Sequence, residues 1–109
     1  MVAVSAEDLL AFQLTAVGIE FERQYLYVPG RKFRADFAHL PTRLLVHVDG
    51  GIFSRQAHGS ISGILADIER LNLGTLNGWR ALRVTPQMVN SGEAYTLVER
   101  VIAAYGETA

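Results

Sequence analysis

The chain has no cysteine, one lysine, one tryptophan and three prolines in 109 residues. Without cysteine there is neither a disulfide framework nor a thiolate metal site, so any metal centre must be built from carboxylates, imidazoles and backbone oxygens. No uninterrupted apolar stretch approaches the roughly 20 residues that span a bilayer, and the opening MVAVSAEDLL has neither a basic leader nor a long apolar core. These absences predict a soluble, cytoplasmic protein with no membrane partner. Half of the residues are hydrophobic and no polar low-complexity tract interrupts them, which fits one domain over residues 1–109.

A net charge of −1 conceals an uneven distribution. Residues 21–60 carry six bases (Arg23, Arg31, Lys32, Arg34, Arg43 and Arg55) against three acids (Glu22, Asp36 and Asp49), while the rest of the chain is acidic. A basic segment on an acidic remainder is compatible with a phosphate-binding face and equally with a solvated surface.

Local patterns predict the order helix, three strands, helix, strand, helix. Ser5 can cap a first helix whose opening turn holds Glu7 and Asp8, with Leu10, Leu14 and Val17 on one stripe and Gly18 as a left-handed stop. The run IEFERQYLYVPG (19–30) reads as a strand ending in a Pro29-Gly30 turn. RKFRADFA (31–38) alternates, placing Phe33, Ala35 and Phe37 on one face and Lys32, Arg34, Asp36 and Ala38 on the other. After the HLPT loop, RLLVHVDGG (43–51) is the third strand, with Leu44, Val46 and Val48 facing one way and Leu45, His47 and Asp49 the other. Short connections make these three an antiparallel meander.

Beyond residue 60 the period changes. Ile61, Ile64, Leu65, Ile68, Leu71 and Leu76 recur at helical spacing between a Ser60 cap and a Gly78 stop, and Gly63 and Gly74 share nearly one face, where missing side chains permit close approach. WRALRVT (79–85) is a fourth strand, reached by a connection long enough for a parallel crossover. Thr85-Pro86 opens a further helical turn, and Ser91-Gly92-Glu93 restarts a final helix ending near Gly106.

Ionisable groups inside strands are costly unless balanced, which singles out Asp36, His47 and Asp49. Pairing of strands two and three across HLPT brings these groups to one side of the sheet, where two carboxylates repel unless a cation lies between them. The alternative is that Asp36 pairs with an arginine and Asp49 merely begins the Gly50-Gly51 turn.

The run PGRKFRADFAHLPTRLLVHVDGGIFSRQAH, followed by DIERLN and GWRALRVT, resembles the small phage and bacterial nucleases of the PD-(D/E)xK, restriction-endonuclease-like superfamily. The similarity is to the DUF559 type and the very-short-patch repair endonucleases, from about Gly18 to about Gly92. The resemblance implies an α/β fold with a mixed four-stranded sheet, a three-stranded antiparallel meander plus a crossover-connected fourth strand, flanked by helices. It also implies divalent-metal-dependent hydrolysis of DNA phosphodiesters in a bacterial or phage-infected cell. Asp36 matches the family's central metal-binding aspartate and Asp49 the acid that closes the third strand. His58 and Asp67 match a histidine beyond that strand and an acid in the next helix. An acid near the first strand or in the preceding helix often joins them, which makes Glu22 a candidate.

The chain departs from the family where His47 replaces a ligand glutamate, where Gln24 replaces another glutamate, and in lacking the superfamily lysine. Lys32 is four positions from Asp36, roughly 13 Å along a strand, and is better placed for DNA backbone than for reacting water. Imidazole favours manganese, zinc, cobalt or nickel over magnesium, so the expected cofactor is Mg²⁺ or Mn²⁺ with Mn²⁺ preferred. His47 is then a metal ligand or an acid–base group, or the mark of a weakened site.

The remaining residues keep two readings each. His58 is a general acid or base, or a polar loop residue. Asp67 belongs to the pocket or forms an ordinary surface pair with Arg70 three residues on. Arg23, Arg31, Lys32, Arg34 and Arg55 contact DNA phosphates, or pair with neighbouring acids. Tyr25, Tyr27, Phe33 and Phe37 read as sheet packing rather than a base-stacking platform. So short a chain has little surface for a long target, which is compatible with a homodimer or an accessory specificity partner. The rival to an endonuclease is a nuclease-fold module that binds DNA or protein without cutting.

Overall fold

A computed structural model describes residues 4–50 and 60–106 of the chain. The protein is α/β, with a four-stranded mixed sheet in the order β1-β2-β3-β4 and four helices among the described residues. In chain order these are α1 (Ala6–Ala16), β1 (Glu22–Leu26), β2 (Arg34–His39), β3 (Leu44–Val48), α2 (Ile61–Leu76), β4 (Arg80–Val84), α3 (Pro86–Ser91) and α4 (Glu93–Tyr105). β1, β2 and β3 are antiparallel neighbours, and β4 lies parallel to β3, as the length of the intervening connection predicts. No helix among the described residues is long and apolar enough to cross a membrane.

The helix ends follow their capping chemistry. Ser5 Oγ accepts the Asp8 N–H at 3.0 Å to open α1, and Thr85 Oγ1 accepts the Met88 N–H at 3.2 Å, with Pro86 at the first helical position of α3. Gly92, at φ 89°, turns the chain from α3 into α4.

One face of the sheet is closed by α1, α3 and α4. Leu10 and Leu14 from α1, Val89 from α3 and Ala94 and Val98 from α4 meet Phe37, Leu44, Val46 and Val84, and each of these side chains is buried. The stripe expected on α1 is shorter than its spacing suggests, because Val17 beyond the helix end is exposed.

The other face holds a second buried cluster of Tyr27, Val28, Ala35, Ala38, Leu45 and Trp79, with Tyr25, Phe33 and Leu73 packed against it. Its cover is the tip of the β1–β2 hairpin, which folds across the sheet. Trp79 Nε1 donates to the Tyr27 carbonyl at 3.1 Å, and the Tyr25 and Trp79 rings meet edge to face at 5.5 Å. This corrects the simple alternation expected of β2: Phe37 packs into the first cluster while Ala35 and Phe33 pack into the second.

Helix α2 lies outside this cover and turns its small residues inward. Gly74 is its one fully buried residue, and a Cβ placed there would stand 3.4 Å from the Tyr27 ring. The apolar stripe faces water: Ile61, Ile64, Leu65, Ile68, Leu71 and Leu76 are 48–80% exposed.

Candidate active site at the hairpin bend

The fold-over of the hairpin has a local cause. The β1–β2 register runs Glu22↔Ala38 and Arg23↔Phe37, then resumes at Tyr25↔Ala35 and Leu26↔Arg34, leaving Gln24 and Asp36 opposite one another without a ladder pair. Gln24 sits at φ 50°, a left-handed conformation that costs a non-glycine residue energy and reverses its side-chain direction relative to an extended strand. Both strands lose their alternation at this point, so the hairpin bends toward the second face and the Asp36 carboxylate is left between β1 and β3.

There the carboxylate replaces a backbone acceptor. Asp36 Oδ2 accepts the Val48 N–H at 2.7 Å, and the β2–β3 register accordingly ends at Phe37↔Val46. Asp36 Oδ1 receives only a long 3.4 Å approach from Gln24 Nε2. Burial is the main influence on this carboxyl and pushes its pKa up; the negative charge of Glu7 pushes it up further. The Val48 N–H, the Gln24 amide and His47 pull the other way and do not outweigh burial. Among the described residues no arginine, lysine or histidine forms an ion pair with Asp36. A half-buried carboxylate beside a second acid, held by amides alone, is short of positive charge.

The second acid was not foreseen from sequence, which gave Glu7 only a place in the first turn of α1. Glu7 Oε2 accepts 2.9 Å bonds from Arg23 Nη2 and from Gln24 Nε2, so Gln24 bridges Glu7 to Asp36. The one available signal was that the nucleases which the sequence resembles often carry a glutamate near the first strand or in the helix preceding it. Glu22, the residue chosen on that ground, lies exposed opposite Ala38, two residues before the bend.

His47 is half-buried on the second face, with the Tyr27 ring edge-on at 6.0 Å between centroids. Burial lowers its pKa below the usual histidine range, and Arg83 and Arg70 add to the effect while Asp36 and Asp49 oppose it. The imidazole is therefore mainly neutral at pH 7, with a lone pair on one ring nitrogen. Asp49 extends the parallel ladder, donating its N–H to the Val84 carbonyl at 2.7 Å, and its carboxylate takes a hydrogen-bonded ion pair from Arg83. The structure thus ties Asp49 to Arg83 and Asp36 to Gln24 and Val48, rather than presenting the two carboxylates as one bare pair.

Of the other candidates, Asp67 pairs with Arg70 at 3.3 Å on α2 and also acts electrostatically on Tyr27 under the hairpin tip. Arg23 bridges Glu7 and Asp8 at 2.9 Å each, and Arg31 grips Glu69 with both terminal nitrogens. Arg34 donates to the Gln24 carbonyl at 3.0 Å, bracing the bend, and Lys32 is exposed. His58 and Arg55 lie outside the described residues.

The donor set matches one kind of cation better than others. Among the described residues no group of three or more His, Asp or Glu side chains is placed to hold a metal ion, which leaves no cage of the kind that a structural zinc requires. Magnesium and manganese in phosphoryl-transfer sites need only one or two carboxylates, completing their shell with water and phosphate oxygens. Asp36, with one oxygen only weakly engaged and Glu7 close by, fits that requirement. Compared with protein-family models, curated proteins and solved structures, the chain has no match in any of the three.

Proposed function

We propose that the protein is a divalent-metal-dependent DNA endonuclease whose mixed sheet is a restriction-endonuclease-like core. The observation that carries this reading is Asp36: a half-buried carboxylate at a break in the sheet, crowded by Glu7 and lacking a cationic partner among the described residues. Such an arrangement is unfavourable for an empty fold and is accounted for by a cation. Asp36 would hold the ion, with Glu7 adjoining, and a bound Mg²⁺ or Mn²⁺ would supply Lewis-acid polarisation of a phosphodiester and an acidified water. Neutral His47 is suited to accept a proton from water or to serve as a nitrogen ligand, and the latter favours Mn²⁺ over Mg²⁺. Arg34 and Lys32 are exposed near the bend, and the exposed ion pairs of Arg23 and Arg31 are weak enough to be exchanged for DNA phosphates.

A second reading, a DNA-binding module of the same fold that does not cut, is favoured by the Arg83 cation lying on Asp49, which reduces the charge left for a metal. Incubation of supercoiled and single-stranded DNA with Mg²⁺, Mn²⁺ or EDTA separates the two. The endonuclease requires cutting that EDTA abolishes and that Asp36→Asn lowers at least about 10³-fold, a loss typical of removing a metal or oxyanion contact. Asparagine keeps an oxygen for the Val48 N–H, so the same variant should melt higher than the parent, by about 1 kcal/mol, as groups strained for function do when replaced. Retained DNA binding with no cutting in any metal supports the module. Cutting by Asp36→Asn equal to the parent rejects both the site and the enzyme reading.

A further inference from the structure

Among the described residues the apolar stripe of α2 belongs to no core. Its six large side chains, Ile61, Ile64, Leu65, Ile68, Leu71 and Leu76, span about 140° of the helix circumference at 3.6 residues per turn, the width of a stripe that ordinarily faces a protein interior. They are 48–80% exposed, whereas the opposite face, with Gly74 on Tyr27 and Leu73 against the second cluster, makes the contact with the rest of the molecule. From those exposures the patch presents on the order of 650 Å² per copy. This exceeds the roughly 300–600 Å² of the largest patch on a typical monomer and approaches the about 800 Å² per partner of a stable interface.

The chemistry of the rim selects the occupant. The charged residues of α2 are Asp67, Glu69 and Arg70; Asp67 pairs with Arg70 within the helix and Glu69 with Arg31 of the hairpin. Among the described residues the one basic side chain of α2, Arg70, lies on the far side of the helix from Ile68, and Arg31 is held by Glu69, so the stripe lacks the row of free basic residues that a nucleic-acid or membrane surface would require. The rim is neutral, so two copies do not repel. The centre of the stripe is symmetric about Ile68. In an antiparallel helix pair crossing at Ile68, that residue meets its own equivalent and Leu65 faces the partner's Leu71, while Ile61 and Ile64 fall opposite the partner's Thr75 and Asn72 at the ends of the stripe. This self-complementarity is what a two-fold interface needs.

We propose that α2 is the interface of a homodimer, two copies of this helix packing antiparallel about Ile68. The inference stands independently of whether the chain cuts DNA. Sedimentation or light scattering over about 1 μM to about 100 μM protein should show a dimer, and Ile68→Glu should raise its dissociation constant at least about 100-fold while circular dichroism retains the helix signal. The absence of cysteine permits a second test. Ile68→Cys alone should form a disulfide-linked dimer in air, and a mixture of Leu65→Cys and Leu71→Cys chains should link to each other more readily than either links to itself. If Ile68→Glu lost helix content, the cysteine pairs would decide the matter. A chain that stays monomeric throughout, a dimer that survives Ile68→Glu with its helices intact, or a dimer that Ile68→Cys fails to link would overturn the proposal.

Discussion

Helices α2 and α4 carry the same kind of apolar repeat and use it in opposite ways. In α4, Ala94 and Val98 are buried on the sheet, with Leu97, Val101 and Ile102 alongside, so the stripe closes the first face. In α2 the glycine side meets the protein and the stripe meets water. The difference lies in what each helix finds on its side of the sheet. The first face offers α4 the large side chains Phe37, Leu44, Val46 and Val84. On the second face Tyr27 of the folded-over hairpin and Trp79 before β4 already pack with Leu45 and Ala38, and the helix approaches the Tyr27 ring through Gly74. The bend that delivers Asp36 to the candidate site is therefore the same feature that leaves the apolar stripe of α2 without a partner among the described residues.

That contrast breaks first under truncation of the two kinds of apolar side chain. Phe37→Ala opens a cavity in the first core and should cost about 3–5 kcal/mol of folding stability, whereas Ile64→Ala on α2 should change it by no more than about 0.5 kcal/mol. Chemical denaturation at a concentration low enough to suppress self-association measures both. Comparable losses would mean that the α2 stripe is a core after all. The glycine seam gives the next largest effect. Gly74→Leu forces a branched side chain into the space before the Tyr27 ring and should destabilise by about 1–3 kcal/mol, lifting α2 from the hairpin tip. An increase in stability would show that the seam is loose and that α2 packs elsewhere.

Much of this architecture was legible in the sequence because it is written in local chemistry. Ser5, Thr85-Pro86 and Gly92 mark helix boundaries by satisfying or ending backbone hydrogen bonds, and the long link from β3 to β4 announces a parallel pair. The α2 repeat revealed a helix by its period, but a period does not say which way the helix faces; only the pair Gly63 and Gly74 hinted at the inner side. The bend was not legible. Gln24 has no intrinsic preference for positive φ, and its conformation is imposed by hydrogen bonds to Glu7 and Asp36, residues 17 and 12 positions away. The alternation expected for Phe33, Ala35 and Phe37 failed for that reason, and the proximity of Glu7 to Asp36 was hidden by the same long-range contact. Asp36 and His47 stood out because a strand interior is an expensive place for either.

Acid titration sharpens the comparison at its smallest scale, because each face carries a partly buried imidazole, His47 on the second and His39 opposite Leu44 on the first. Burial lowers the pKa of His47, and of His39, below the ordinary 6.5. Above pH 6.5 both imidazoles are neutral whether the chain is folded or not, and stability is undiminished. As pH falls below 6.5 the unfolded chain binds protons that the fold resists, so stability declines, with a slope of at most about 1.4 kcal/mol per pH unit for each group, until the folded imidazoles also titrate. Asp36 acts with the opposite sign. Its folded pKa is raised above the ordinary 3.8, so its contribution is greatest below pH 3.8 and is lost as pH rises through the folded value. Melting temperatures between pH 7.5 and 5.5 should therefore fall less steeply in His47→Gln than in the parent, since the neutral amide has no proton to refuse. Asp36→Asn should raise the melting temperature most at the neutral end and least toward acid, because the parent carboxylate is progressively relieved by protonation. Equal slopes in His47→Gln and the parent would mean that the imidazole is solvated in the fold, and the second face would then be as open around residue 47 as it is along α2.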